Sequence, residues 1–153
     1  MITGVILKDL QVHKDERGAL FEILRSDAPE FKGFGQTYVT VCSPGWVKGW
    51  HYHLLQQDYF CVLKGKARIV LYDQREDSAT KGEINEFELA NSKPQTLVIP
   101  TGVVHGFECI SQEEAWILNV PSQLYNYQKP DEYRIPLDSK NVPYKPWQEK
   151  KGW

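Results

Sequence analysis

Two histidines one residue apart, His51 and His53, sit in the stretch "GWVKGWHYHLLQQDYFCVLKG" from Gly45 to Gly65. A third, His105, lies in "IPTGVVHGF", and the fourth, His13, stands in "HKDERG" with no partner by spacing. Imidazole titrates near neutrality, so a group of histidines can move protons or ligate a metal. On a strand, side chains alternate between faces, which puts His51 and His53 on one face and Tyr52 on the other. Counting from Gly45, five residues precede His51, one separates it from His53, four more reach Asp58 and six more reach Gly65. Pro100 and Gly102 make a turn ahead of His105, and its apolar neighbours carry it back inside. His51, His53, His105 and Asp58 suit Fe, Mn, Ni or Zn by ligand type. The other readings are proton transfer by histidine without metal, and histidines that only fill space.

Such side chains need rigid walls, and the sequence supplies strands. "QTYVTVCS", "QDYFCVL", "ARIVLYD", "INEFELA", "QTLVIP", "GFECI" and "EAWILNV" are short, rich in β-branched and aromatic residues, and bounded by Gly, Pro, Asn and Asp. No segment carries a long 3.6-residue apolar period, so the fold is expected to be all-β, a sandwich or a barrel. Asp73 to Glu83 reads as an exposed charged loop. The tail from Ser122 is rich in tyrosine, proline and tryptophan, a composition unlike disorder. It is expected to lie against the β domain and to reach a pocket mouth. Trp153 is a candidate dimer anchor. Trp50 either stacks on a base or sugar or packs in the core.

The chain has 153 residues and a formal net charge of -2. One domain spanning 1–153 is expected, and the charge argues against a nucleic-acid partner. Three scattered cysteines, Cys42, Cys61 and Cys109, lack metal-ligand spacing and fit a reducing compartment. Cys61 reads as core and Cys109 as a neighbour of the pocket. The opening "MITGVILKDL" has no basic start, and no apolar run approaches about 20 residues, so a cytoplasmic protein without a membrane span is expected. "MITGVILKDLQVH" has the composition of a strand that could cover a sheet edge in a homodimer.

The glycine and histidine pattern resembles the two-part signature of the cupin superfamily. Asp58 stands where cupins usually have Glu, Cys109 at the distal Asn and Pro94 at the leading Gly. Five blocks, in order, resemble the dTDP-4-dehydrorhamnose 3,5-epimerase branch of that superfamily. They are "DERGALFEI", "KGWHYH", "LYDQREDSATKGE", "LVIPTGVVHGF" and "YNYQKPDEYRI". The resemblance runs over about residues 8 to 147. It implies a cupin-type jelly-roll barrel with the aromatic tail packed on it, a dimer, and no metal or organic cofactor. It implies a nucleotide-linked 4-keto-6-deoxy sugar as substrate. His51 would be the base, Tyr125 or Tyr127 would act on the opposite ring face, and Arg17 would hold the pyrophosphate. Lys48, Trp50, His53, Asp58, His105 and Gln36 complete the expected substrate-binding set.

The chemistry follows from the substrate. A hydrogen beside a ketone is acidic because the enolate delocalises onto oxygen, and its removal needs a base near pH 7. The oxyanion needs donors, inversion needs a second group on the other face, and a diphosphate suits an arginine fork. Arg17 could instead pair with Glu16 or Glu22. The sequence departs from the epimerase pattern in four places. Lys48 replaces an arginine, and His53 replaces a glutamine. Asp58 falls near an enolate-stabilising lysine. The aspartate that orients the histidine lies beyond Trp153 in full-length epimerases, leaving Asp131 or Asp138 as substitutes. The His-x-His pair is also similar to nucleotide-sugar 3,4-ketoisomerases. A metal-dependent cupin enzyme and a non-catalytic sugar-nucleotide-binding cupin are the remaining alternatives.

Overall fold

The computed structural model describes residues 1–152; Trp153, the candidate dimer anchor, lies outside the described residues. The strands in chain order are β1 (Ile6–Asp9), β2 (Val12–Asp15), β3 (Gly18–Phe21), β4 (Tyr38–Cys42), β5 (Trp46–Tyr52), β6 (Asp58–Lys64) and β7 (Lys66–Asp73). They continue with β8 (Ile84–Ala90), β9 (Gln95–Ile99), β10 (Val103–Cys109), β11 (Ala115–Asn119), β12 (Tyr133–Arg134) and β13 (Lys151–Gly152). A 3-10 turn, Lys145–Trp147, precedes β13. Among the described residues no helix is long and apolar enough to cross a membrane.

The all-β expectation holds, but the expected jelly-roll barrel does not form. The strands lie in two open sheets, a five-stranded one ordered β1-β9-β6-β11-β4 and a six-stranded one ordered β12-β5-β10-β7-β8, with β13 added beside β5. Among the described residues no ladder joins one sheet to the other, so neither closes. The physical reason is visible after β4. Pro44 and Gly45, the latter at φ 75°, turn the chain so that β5 joins β10 in the other sheet instead of pairing with β4. The two sheets bury a shared apolar core that includes Phe60, Val62, Ile69, Leu71, Leu97 and Ile117. Alternation in "ARIVLYD" and "INEFELA" matches β7 and β8.

Part of the N-terminal stretch forms a strand: β1 pairs antiparallel with β9 of its own chain and lies at one edge of the five-stranded sheet. The pair β2–β3 instead forms a separate two-stranded sheet. Cys109 is buried with the core residues and does not line a cavity. The Asp73–Glu83 loop is largely exposed, as expected, and is anchored at its base, where Asp73 is fully buried and accepts bonds from Arg75, Ser78 and Thr80. Those bonds hold its carboxyl well below the usual range against the opposing cost of burial.

The tail covers the outer face of the six-stranded sheet. Leu137, Val142, Tyr144 and Trp147 pack on Val47, Trp50, Val70 and Val104. Beneath Trp147 two backbones meet: a Cβ on Gly106 would lie 3.0 Å from the Cα of Gly49 and 3.0 Å from the Trp147 ring. Only glycine allows that approach. It coincides with a bulge in the β5–β10 ladder between His105 and Phe107, which leaves His105 directly opposite His51. Trp147 is fully buried, and its Nε1 donates to Glu108 at 3.0 Å. Trp147→Ala is therefore expected to cost about 3–5 kcal/mol, read as a lower urea midpoint with the same slope.

Candidate functional site

His51 and His105 face each other across β5 and β10 with ring centroids 4.1 Å apart. His53, one residue past the end of β5, lies 5.7 Å from His51 and 5.6 Å from His105 by ring centroid. One ring nitrogen from each of the three falls within 4.8 Å of the others. Tyr52 turns away, as alternation predicts, and stacks on Tyr133.

Asp58 comes from the opposite sheet, at the start of β6. Its Oδ2 lies 3.4 Å from Nε2 of His53 and 3.4 Å from Nε2 of His105. Its Oδ1 accepts from Gln56 Nε2 at 2.7 Å and Asn119 Nδ2 at 2.9 Å. Burial would raise the Asp58 pKa. The His105 contact, the charges of both imidazoles and the Asn119 donor outweigh it and bring the pKa to about 2. His53 Nδ1 donates to the main-chain oxygen of Asp131, and His105 Nδ1 donates to that of Val103 at 3.0 Å. A carbonyl only accepts, so each Nδ1 carries a hydrogen, and each Nε2 faces the carboxylate. A proton or a cation must sit there to make that contact attractive. His105 Nε2 is buried and has no hydrogen-bond partner among the described residues.

His51 is left as the imidazole without such a partner. Burial, and then the positive character of His105 and His53, hold its pKa well below 6.5. It is a neutral base at pH 7 and stays neutral as pH falls through 6.5. It opens on a cavity of roughly 240 Å³. Lys48, His51 and Phe107 line the cavity from the six-stranded sheet; Tyr38, Thr40, Phe60, Ile117 and Asn119 line it from the other. Glu132, paired with Arg134 at 3.0 Å, closes one side. That volume is smaller than a usual whole-ligand pocket, so it suits one ring of a larger ligand.

The structure thus brings His51 and Lys48 into the cavity and sets His53, His105 and Asp58 just behind. Asp58 does not line the cavity, so its negative charge does not replace a cation there. Lys48 is the cation that does. Trp50 is not a ligand contact: it is buried behind the sheet, with ring centroids 4.5 Å from Trp147 and 5.8 Å from Tyr144. Tyr127 is 88% exposed, and Tyr125 lines a neighbouring hollow with Leu54 and Leu55. Gln36 Oε1 lies at 3.5 Å from the Tyr125 N–H and is likewise outside the cavity. Arg17 forks onto Asp15 in its own hairpin, not onto Glu16 or Glu22, and its side chain is 85% exposed. Asp131 does not touch His51. Its carboxylate accepts the N–H groups of Leu54, Leu55 and Gln56, while its carbonyl fixes His53.

Tyr38, Thr40, Asn119 and Glu132 were not anticipated. One signal was available: in "QTYVTVCS", Tyr38 and Thr40 alternate onto one face, and "EAWILNV" carries a polar Asn119 among apolar residues. Their meeting depends on the register that sets Tyr38 opposite Asn119.

Residues 13–133 match the family model described as polysaccharide biosynthesis C-terminal domain. The chain is 42% identical over 139 residues to a probable low-salt glycan biosynthesis epimerase, Agl13, of Haloferax volcanii, covering 90% of this chain and 89% of that one. It is 39% identical over 142 residues to the spore coat polysaccharide biosynthesis protein SpsL of Bacillus subtilis, covering 93% and 94%. Its structure is similar to that of a dTDP sugar isomerase from Desulfovibrio desulfuricans G20, with TM-score 0.88, 30% identity and coverage of 97% and 93%.

Asp58 ties pH to stability in a defined direction. Its pKa falls from 3.8 to about 2 on folding, so its contribution is present above pH 3.8 and lost as pH drops toward 2. That window is worth on the order of 2 kcal/mol. Urea unfolding from pH 7 to pH 2 should show Asp58→Asn less stable than wild type at neutral pH. Its acid limb should also be shallower by about that amount.

Proposed function

Because the chain belongs to the polysaccharide biosynthesis C-terminal domain family and is a cupin-superfamily protein of the 3,5-epimerase-like kind, we propose that it epimerises a nucleotide-linked 4-keto-6-deoxy sugar. His51 is the base that removes the proton beside the ketone. One observation carries this: His51 is the neutral imidazole of the trio, without a hydrogen-bond partner among the described residues, and it opens on the cavity beside a cation, Lys48. The pair supplies what enolisation needs, an acceptor for the carbon-bound proton and a positive charge for the forming oxyanion. Cavity size supports the reading, since one sugar ring fits and the nucleotide extends outward. The names of two relatives point the same way, one a probable glycan biosynthesis epimerase and one a dTDP sugar isomerase. The whole chain acts as one catalytic unit, and a nucleotide-sugar substrate places it in the cytoplasm.

His53 does not act as a second shuttle in this reading. Its Nδ1 is bound to Asp131 and its Nε2 faces Asp58, so neither nitrogen is free for a sugar. That weighs against a paired-histidine 3,4-ketoisomerase. A metal-dependent enzyme is the second reading, favoured by the clustered nitrogens and by the unpartnered His105 Nε2. His51, His53 and His105 would hold a divalent cation, which would polarise the ketone oxygen.

One experiment separates these readings. Proton NMR in deuterium oxide with dTDP-4-keto-6-deoxyglucose, after chelator treatment, should show exchange at C3, C5 or both, with inversion. His51→Ala should slow it by about 100-fold or more. Retained exchange in His51→Ala removes His51 as base, and activity that vanishes on chelation and returns with metal establishes the second reading.

We also propose a homodimer. The β2–β3 hairpin is a detached two-stranded sheet with Leu20 61% exposed, and such a unit gains little stability alone in water. A second copy would cover it and bring Arg17 to a neighbouring cavity, where its fork can bind diphosphate. Sedimentation equilibrium at micromolar concentration should give twice the 17.7 kDa chain mass; the single-chain mass rules the dimer out.

A further inference from the structure

The epimerase reading needs an acid facing His51 across the ring, and the tail tyrosines are not in the cavity. We propose that Tyr38 is the catalytic acid, delivering a proton to the substrate carbon from the wall opposite His51. This rests on the reading of His51 as base.

The placement comes from register. Tyr38 is the cross-strand partner of Asn119, which is itself paired with Phe60. Paired residues share a face, so all three look inward from the five-stranded sheet. Lys48, His51 and Phe107 look inward from the six-stranded sheet. A sugar ring held between these walls shows one face to His51 and the other to Tyr38. Tyr38 is 42% exposed, so a ligand can reach it.

The hydrogen bonds then settle where the phenol proton points. Asn119 Oδ1 accepts from the Tyr59 N–H at 3.3 Å, and Nδ2 donates to the Asp58 carboxylate, which can only accept. The amide orientation is thereby fixed, and the remaining Nδ2 hydrogen goes to the Tyr38 oxygen at 3.0 Å. Tyr38 is the acceptor in that bond. Its own O–H has no acceptor among the described residues and is free for the ligand. Desolvation and the Asp58 charge push its pKa up to about 12, which keeps it protonated until a strong base forms beside it. The enolate is such a base.

The step balances without redox change. His51 takes the C–H proton, and the bonding pair moves into the enolate with charge on the ketone oxygen. The enolate pair then forms a new C–H bond with the Tyr38 proton from the other face, and the ketone re-forms. The phenolate, held by the Asn119 N–H, regains a proton from water, and His51 gives its proton to water.

The test uses Tyr38→Phe in the same deuterium oxide assay. His51 should still remove and return hydrogen on its own face, so deuterium enters the unreacted sugar. Formation of the inverted sugar should fall by about 100-fold or more. Tyr125→Phe and Tyr127→Phe should keep both exchange and inversion. Continued exchange in Tyr38→Phe also reports an intact folded site. Inversion by Tyr38→Phe near the wild-type rate overturns the assignment. Loss of exchange together with inversion also overturns it, because the residue would then serve binding or proton removal. Wild type that exchanges nothing overturns the epimerase reading, and the acid with it; wild type that inverts beside a Tyr38→Phe that also inverts removes Tyr38 alone.

Discussion

The site depends on one buried carboxylate. Asp58 is 1% exposed, and its removal from water is costly unless every oxygen finds partners. It finds four: Gln56 and Asn119 on one oxygen, and the imidazoles of His53 and His105 near the other. These partners come from both sheets, so the charge pulls β6, β10 and β11 into one arrangement. Breaking such a set by removing one member leaves an uncompensated buried charge. The same contacts divide the three histidines. Two imidazoles turn their Nε2 atoms to Asp58, and the third is kept neutral partly by the positive character of those two. The carboxylate thus sets His51 apart from the other two without touching it.

The backbone has to permit that selection. His51 and His105 meet because β5 and β10 come close at Gly49 and Gly106, where a Cβ has no room. The bulge there shifts register, so that Phe107 faces Lys48 while His105 faces His51. Trp147 packs on the outside of that contact, and β13 lies beside Trp46 and Val47. The tail therefore supports the site from behind the sheet. Its segment near Asp131 supports it from the front, holding both the turn after β5 and the His53 ring. Cavity and tail are coupled through a single strand, β5.

These relations mark what could be read from the sequence. Period-two alternation and turn residues located most strands, and His-x-His alternation put His51 and His53 on a common side, because both effects are local. The five ordered blocks carried the family for the same reason. Sheet partnership was not local: a pattern of short strands is compatible with a barrel or with two open sheets, and the Pro44–Gly45 turn decided between them. Trp50 was ambiguous because a stacking aromatic and a core aromatic have the same composition, and the tail that buries it lies nearly a hundred residues later. Asp58 was placed against the substrate because linear spacing cannot show that a carboxylate points behind the histidines. Tyr38 and Asn119 required cross-strand register, which the sequence does not print.

The division of the cavity into two walls has a consequence for charge. The proposed base and cation, His51 and Lys48, share one strand, which in the proposed reaction puts proton removal and oxyanion stabilisation on the same side of a bound ring. The other wall carries neutral donors and acceptors, Tyr38, Thr40 and Asn119, with apolar Ile117 and Phe60. A neutral wall does not compete with Lys48 for the enolate oxygen, and its phenol is held in place by an amide whose direction Asp58 fixes. One buried charge therefore organises both sides of the ring: it keeps its own histidines engaged on one side, and through Asn119 it aims a hydroxyl on the other. Inversion asks for two groups that do not interfere, and this arrangement separates them by a sheet-to-sheet gap.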